Sequence, residues 1–101
     1  MPITIHSQPG SVTITLSGEI DHHGARAMMA ELEEAISTLL PRRLTLNLSG
    51  ITFMDSSGIA LLLRVHRHVT GYGGTLTVTA IPTQPRRVLD AAGVGRIISL
   101  E

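Results

Sequence analysis

The chain has 101 residues, 43% of them hydrophobic and 16% charged, which is enough for one core and too apolar for a disordered polymer. Eight arginines and no lysine balance eight acidic residues, and only 2% of the chain is aromatic. A nucleic-acid binder needs a basic excess for phosphates and rings for base stacking, so that class is argued against.

Cysteine is absent, which removes disulfides and thiolate metal sites and permits a reducing cytoplasm. The opening M-P-I-T-I-H-S-Q lacks the basic start and long apolar run of a signal peptide. The longest apolar run, Ile59 to Leu63, is far short of the roughly 20 residues that cross a bilayer. The expectation is a soluble cytoplasmic module, one domain over residues 1–101, with no membrane contact.

Ile3 and Ile5 alternate with Thr4 and His6 as a short strand. After the turn signal Pro9-Gly10, Val12, Ile14 and Leu16 alternate with Thr13 and Thr15, a second strand that forms a hairpin with the first. G-E-I-D-H-H-G leads into a helix whose apolar stripe is Ala25, Met28, Met29, Leu32, Ile36 and Leu39. Asp21 or His22 falls at its start, where a carboxylate satisfies free amides, and Pro41 closes it.

Leu44, Leu46 and Leu48 mark a third strand. D-S-S-G opens a second helix over about Ser57 to Thr70, with Ile59, Leu62, Leu63 and Val69 near one face and Gly71, Gly73 and Gly74 as its stop. Leu76, Val78 and Ala80 form a fourth strand. Thr83 to Ala92 forms a third helix with Pro85 in its first turn and Gly93 beyond its end, and R-I-I-S-L forms a last strand. The pattern predicts an α/β fold, a mixed four- to five-stranded sheet with helices packed mainly on one face. Function then belongs at the strand-to-helix loops around Asp21 and Asp55, because these present helix N-termini.

D-S-S-G has two readings on local grounds. Asp and Ser are preferred N-caps, so the trio caps a helix. Alternatively a hydroxyl is presented for modification, since one cap would suffice and Gly58 clears space for a close approach. A phosphate there would carry about −1.5 to −2 charge at the positive end of a helix, so the domain would stay folded while a tightly packed partner was repelled.

Metal and hydrolase chemistry are disfavoured. Adjacent His22 and His23 rarely converge on one ion, and His66 and His68 do not share a helix face, so neither a metal nor a cofactor is expected. Adjacent Asp55 and Ser56 cannot adopt triad geometry, and no G-x-S-x-G elbow is present, so the chain is not read as an enzyme. G-Y-G-G does not link a strand to a helix as a phosphate loop does and reads as a turn.

Four motifs in order, G-E-I-D-H-H, F-M-D-S-S-G-I-A-L-L-L, G-G-T-L-T-V and V-L-D-A-A-G-V-G-R-I-I, resemble those of the bacterial anti-sigma factor antagonists. These are STAS domains, and the sporulation-type member is the nearest. The resemblance implies that Ser56, directly after the Asp, is the phosphoacceptor and that Ser57 is its neighbour and a helix-capping candidate.

The resemblance further implies a non-enzymatic domain that, unphosphorylated, binds an anti-sigma factor serine kinase and releases the sigma factor. The kinase then phosphorylates the domain, and a PP2C-type phosphatase restores it. Asp21, Asp55, Ser57 and Gly58 are the implied partner-binding residues, with Phe53 and Met54 as strand-end packing beneath the loop. The sporulation-type relative continues into a further C-terminal helix that these residues do not include. The alternative is a STAS-like adaptor or scaffold subunit in a signalling or lipid-transport assembly, in which D-S-S-G only caps.

Overall fold

The computed structural model describes residues 3–101. Strand β1 (Ile3–Gln8) turns at Gly10 into β2 (Ser11–Ile20), which is followed by α1 (His22–Leu39), β3 (Arg43–Met54), α2 (Ser56–Gly71), β4 (Thr75–Thr79) and α3 (Thr83–Ala91). A 3₁₀ turn (Val94–Arg96) and a short β5 (Ser99–Leu100) complete it. The sheet has five strands in the order β1-β2-β3-β4-β5; β1 pairs antiparallel with β2, and the other pairs are parallel.

The strand order explains why one face is covered. Each β-α-β crossover steps to the next strand in the same direction, and right-handed crossovers taken in one direction stack their helices on one side. Val12, Ile14, Leu16, Leu44, Leu46, Leu48, Leu76 and Val78 are accordingly buried in a single core with Met28, Leu32 and Ile36 of α1, Leu62, Val65 and Val69 of α2, and Leu89 of α3. The alternate residues Thr13, Thr15, Thr45, Asn47, Thr77 and Thr79 are only half-buried on the open face. Period-two strands of this kind are what a sheet covered on one side requires.

Several boundaries differ from the sequence expectations. Strands β2 and β3 run well past Leu16 and Leu48, because two register shifts let irregular residues stay paired; Gly18, with φ 97°, lies at one of them. Helix α2 begins at Ser56, not Ser57, and its stripe includes Leu61 and Val65, while Ile59 and Leu63 are half-buried. The chain turns left-handed at Leu40 (φ 43°), which ends α1 as its C-cap and donates its N–H to the Ile36 carbonyl. The last strand shrinks to Ser99–Leu100, because Val94–Arg96 coil into the 3₁₀ turn instead.

Candidate functional site

The site lies at the carboxyl ends of β2 and β3. Ile20 and Met54 are paired at the tips of these parallel strands, and the Asp55 N–H donates to the Ile20 carbonyl at 3.3 Å. Asp21 and Asp55 therefore leave the sheet side by side, and the N-termini of α1 and α2 emerge next to each other. Both acids are caps of the same design. Asp21 accepts a hydrogen bond from the Gly24 N–H at 2.7 Å and Asp55 from the Ser57 N–H at 2.8 Å, each with extended backbone at the cap.

This arrangement corrects the capping assignment within D-S-S-G. Ser57 caps nothing through its hydroxyl; its backbone amide is the donor to Asp55. Ser56 is the first residue of α2 and is exposed, whereas Ser57 is half-buried. The bonds that fix the loop use the Asp55 carboxylate and the amides of residues 57 and 58, the latter donating to the Asp55 carbonyl at 3.0 Å. The Ser56 hydroxyl thus stands at the positive end of a 16-residue helix without serving the fold.

Gly58 is also corrected. It is buried, and a β-carbon there would collide with the Met54 side chain, so the missing side chain accommodates the core and opens no approach to the backbone. Met54 is 1% exposed and is the packing beneath the loop, while Phe53 is 40% exposed. Neighbouring strand residues point to opposite faces, and Phe53 falls on the one that no helix covers.

A groove of about 430 Å³ runs between α1 and α2 from the loop. Ala25, Met29, Ala60 and Leu61 give it an apolar lining, Ser57 stands at its mouth, and Arg26 lies along it. Glu33 and Arg64 face each other across the helices at 2.7 Å. That pair is largely exposed, so it orients two long side chains more than it stabilises the fold. Met29, which the sequence suggests as core, is partly buried: it packs against the core and also lines the groove. The groove escapes sequence reading because it depends on small alanines from two helices meeting.

Among the described residues no group of three or more His, Asp or Glu could hold a metal ion, and no helix is long and apolar enough to cross a membrane.

The architecture is a mixed five-stranded sheet in sequential order, with helices on one face and two capped helix N-termini side by side. The family described as "Mlab, STAS domain" matches residues 3–100. An anti-sigma F factor antagonist of Lysinibacillus sphaericus is 36% identical over 86 residues, covering 84% of this chain and 73% of that protein. One from Paenibacillus polymyxa is 29% identical over 100 residues, covering 99% and 86%. The unphosphorylated form of the anti-sigma factor antagonist SpoIIAA superposes with a TM-score of 0.80 at 26% identity, covering 98% of this chain and 87% of that one. Its phosphorylated form gives 0.72 at the same identity, covering 98% and 90%. The chain belongs to the STAS family and, within it, to the anti-sigma factor antagonists.

Proposed function

We propose that the unphosphorylated chain binds an anti-sigma factor that is also an ATP-dependent serine kinase, and that phosphorylation of Ser56 ends the complex. The kinase transfers the γ-phosphoryl group of ATP to the Ser56 Oγ, the hydroxyl proton is lost, and ADP leaves. A PP2C-type phosphatase hydrolyses the phosphoserine and restores binding. The chain acts by binding and catalyses nothing itself, in the cytoplasm where sigma factors work. Asp21, Asp55, Ser57 and the α1–α2 groove are the surface offered to the kinase. Gly58 contributes indirectly, by letting the first turn of α2 sit down on Met54.

The observation that carries this reading is the division of labour in D-S-S-G. Asp55 alone caps α2, so the exposed Ser56 hydroxyl is free for transfer at no cost to the cap. A dianion at that position meets the positive helix end, so the fold tolerates it. The same charge beside an apolar groove repels a partner seated there. That a relative, SpoIIAA, is known in unphosphorylated and phosphorylated forms supports the same cycle.

The alternative, an adaptor subunit in a signalling or lipid-transport assembly, draws on the same cap, because Asp55 stabilises α2 whether or not a serine is modified. Incubation with the anti-sigma kinase and Mg-ATP, followed by peptide mass spectrometry, separates the two. Phosphate on Ser56 with loss of the complex is the expected result. An active kinase that leaves Ser56 unmodified would favour the adaptor.

A further inference from the structure

Strand β3 is open on one side just where it reaches the site. Its pairing with β4 ends at Asn47 opposite Thr79, whereas its pairing with β2 continues to Met54 opposite Ile20. After β4 the backbone turns away at Ala80 (φ 54°) and enters α3. Beyond Asn47, then, no strand among the described residues lies on the β4 side of β3.

One side chain takes the strand's place at Met54. The Gln84 Oε1 accepts the Met54 N–H at 2.9 Å, and the Gln84 Nε2 donates to the Met54 carbonyl at 2.8 Å. A carboxamide presents a donor and an acceptor as a peptide group does, so this two-bond exchange reproduces that of a hydrogen-bonded strand pair. Only this orientation of the amide satisfies both Met54 groups. The bonds are partly buried, so their loss would strand a donor and an acceptor.

Met54 is also held from the helix side, where Gly58 sits against its side chain, and Asp55 follows it directly. The residue two before Ser56 is thereby fixed by α3 through its backbone and by α2 through its side chain. We infer that Gln84 is a positioning residue for the Ser56 loop: from the first turn of α3 it locks the Met54 peptide and so sets how Ser56 is presented to the kinase. This rests on the reading of Ser56 as the phosphoacceptor.

The test compares wild type, Gln84→Leu and Gln84→Glu in the full chain. Gln84→Leu removes both bonds. Gln84→Glu keeps the acceptor for the Met54 N–H but, as a carboxylate, turns a lone pair toward the Met54 carbonyl. Once protonated, the acid regains a donor and mimics the amide.

Amide hydrogen exchange at Met54, Asp55 and Ser57 is measured by NMR from about pH 7 down to about pH 3.5, through the ordinary glutamate value of about 4.3. Each variant is expressed relative to wild type at the same pH. In Gln84→Leu, exchange at Met54 is expected to rise about tenfold at every pH, the scale of one lost hydrogen bond. In Gln84→Glu it starts similarly raised and returns toward wild type as pH falls, which a loss of packing would not do. The kcat/KM for Ser56 phosphorylation near neutral pH is expected to fall about tenfold in both variants.

Unchanged exchange in Gln84→Leu, or a flat ratio in Gln84→Glu, overturns the clamp. Altered exchange with an unaltered phosphorylation rate overturns the positioning role and leaves Gln84 as support for the fold only. If wild type itself takes no phosphate from an active kinase, the functional reading fails. The exchange data then still decide whether Gln84 fixes the Met54 peptide.

Discussion

The Met54 side chain occupies the space in which a β-carbon on residue 58 would sit, with its sulfur 2.8 Å from that position. Gly58 is therefore a packing residue of the first turn of α2, coupled to the strand that carries the site. Gly58→Ala gains about 1 kcal/mol of helix propensity but overpacks the contact at a cost of about 1–3 kcal/mol, so a net loss near 1 kcal/mol is expected. In a Met54→Ala background, which itself costs about 2–5 kcal/mol, the same change should turn stabilising, because only the propensity gain remains. Urea denaturation of the four proteins reads the sign directly. Additive effects would show that the two residues do not compete for that space.

Asp21 caps α1, and under the proposed function its negative charge also lies beside the loop offered to the kinase. Its carboxylate accepts the Gly24 N–H at 2.7 Å. Asn is as good an N-cap as Asp, so Asp21→Asn should retain stability within about 0.5 kcal/mol, while Asp21→Ala loses about 1 kcal/mol. If the charge contributes to the complex, both variants weaken kinase binding alike once corrected for folded fraction. Isothermal titration beside thermal melts tests this; normal binding by Asp21→Asn would make Asp21 a structural cap alone.

Much of the architecture was legible in the sequence because the sheet is covered on one side. Thr13 between Val12 and Ile14, or Thr45 between Leu44 and Leu46, is a pattern that only a half-buried strand produces. The helix starts are legible for a related reason, since polar capping residues before a periodic apolar segment are a local signal. Which residue caps is not: the sequence offers His22 beside Asp21 and Ser57 within D-S-S-G, and the amide geometry selects Asp21 and Asp55. What was hidden depends on contacts distant in the chain. The extensions of β2 and β3 pass through register shifts that break the alternation. The run Leu61-Leu62-Leu63 fits more than one helical phase, so its buried face was decided by the neighbours. Gln84 carries no motif, and its role exists only because β4 stops at Thr79 and leaves the β4 side of Met54 without a strand partner, 30 residues away in sequence.

Tyr72 makes the stability of the fold pH-dependent at the alkaline end. Its hydroxyl donates to the Pro41 carbonyl at 2.7 Å, tying the end of α2 to the loop after α1, and burial raises its pKa above the ordinary 10.0. The neutral phenol is thus preferred in the folded chain. The stability this provides is complete below the unfolded value and is lost as pH rises from about 10 through the raised folded value. Tyr72 is the only tyrosine, so phenolate absorbance follows this group alone. The expected result is a folded-state midpoint above that of the urea-unfolded chain, with a urea midpoint that drops across the same range. Tyr72→Phe should be less stable near neutral pH by about 1 kcal/mol, the net worth of one hydrogen bond, and should lack that drop. Coincident titration midpoints would remove Tyr72 as the cause.

The two serines should separate cleanly. Ser57→Ala leaves the backbone amide that donates to Asp55, so stability should hold within about 0.5 kcal/mol and phosphorylation should persist. Ser56→Ala should also fold normally, but it should take no phosphate and keep the kinase bound in the presence of ATP. Ser56→Asp puts a carboxylate at the first residue of α2, where attraction to the helix end, about 0.3–1 kcal/mol, is opposed by the neighbouring Asp55. Its stability should therefore change by less than about 1 kcal/mol, while kinase affinity falls about tenfold, or about 1.4 kcal/mol. A carboxylate carries less charge than the phosphate's −1.5 to −2, so the block should be incomplete. Binding by surface plasmon resonance, paired with urea melts, checks all three. A Ser57→Ala chain that resists phosphorylation while Ser56→Ala accepts it would move the switch from the exposed hydroxyl to the one at the groove.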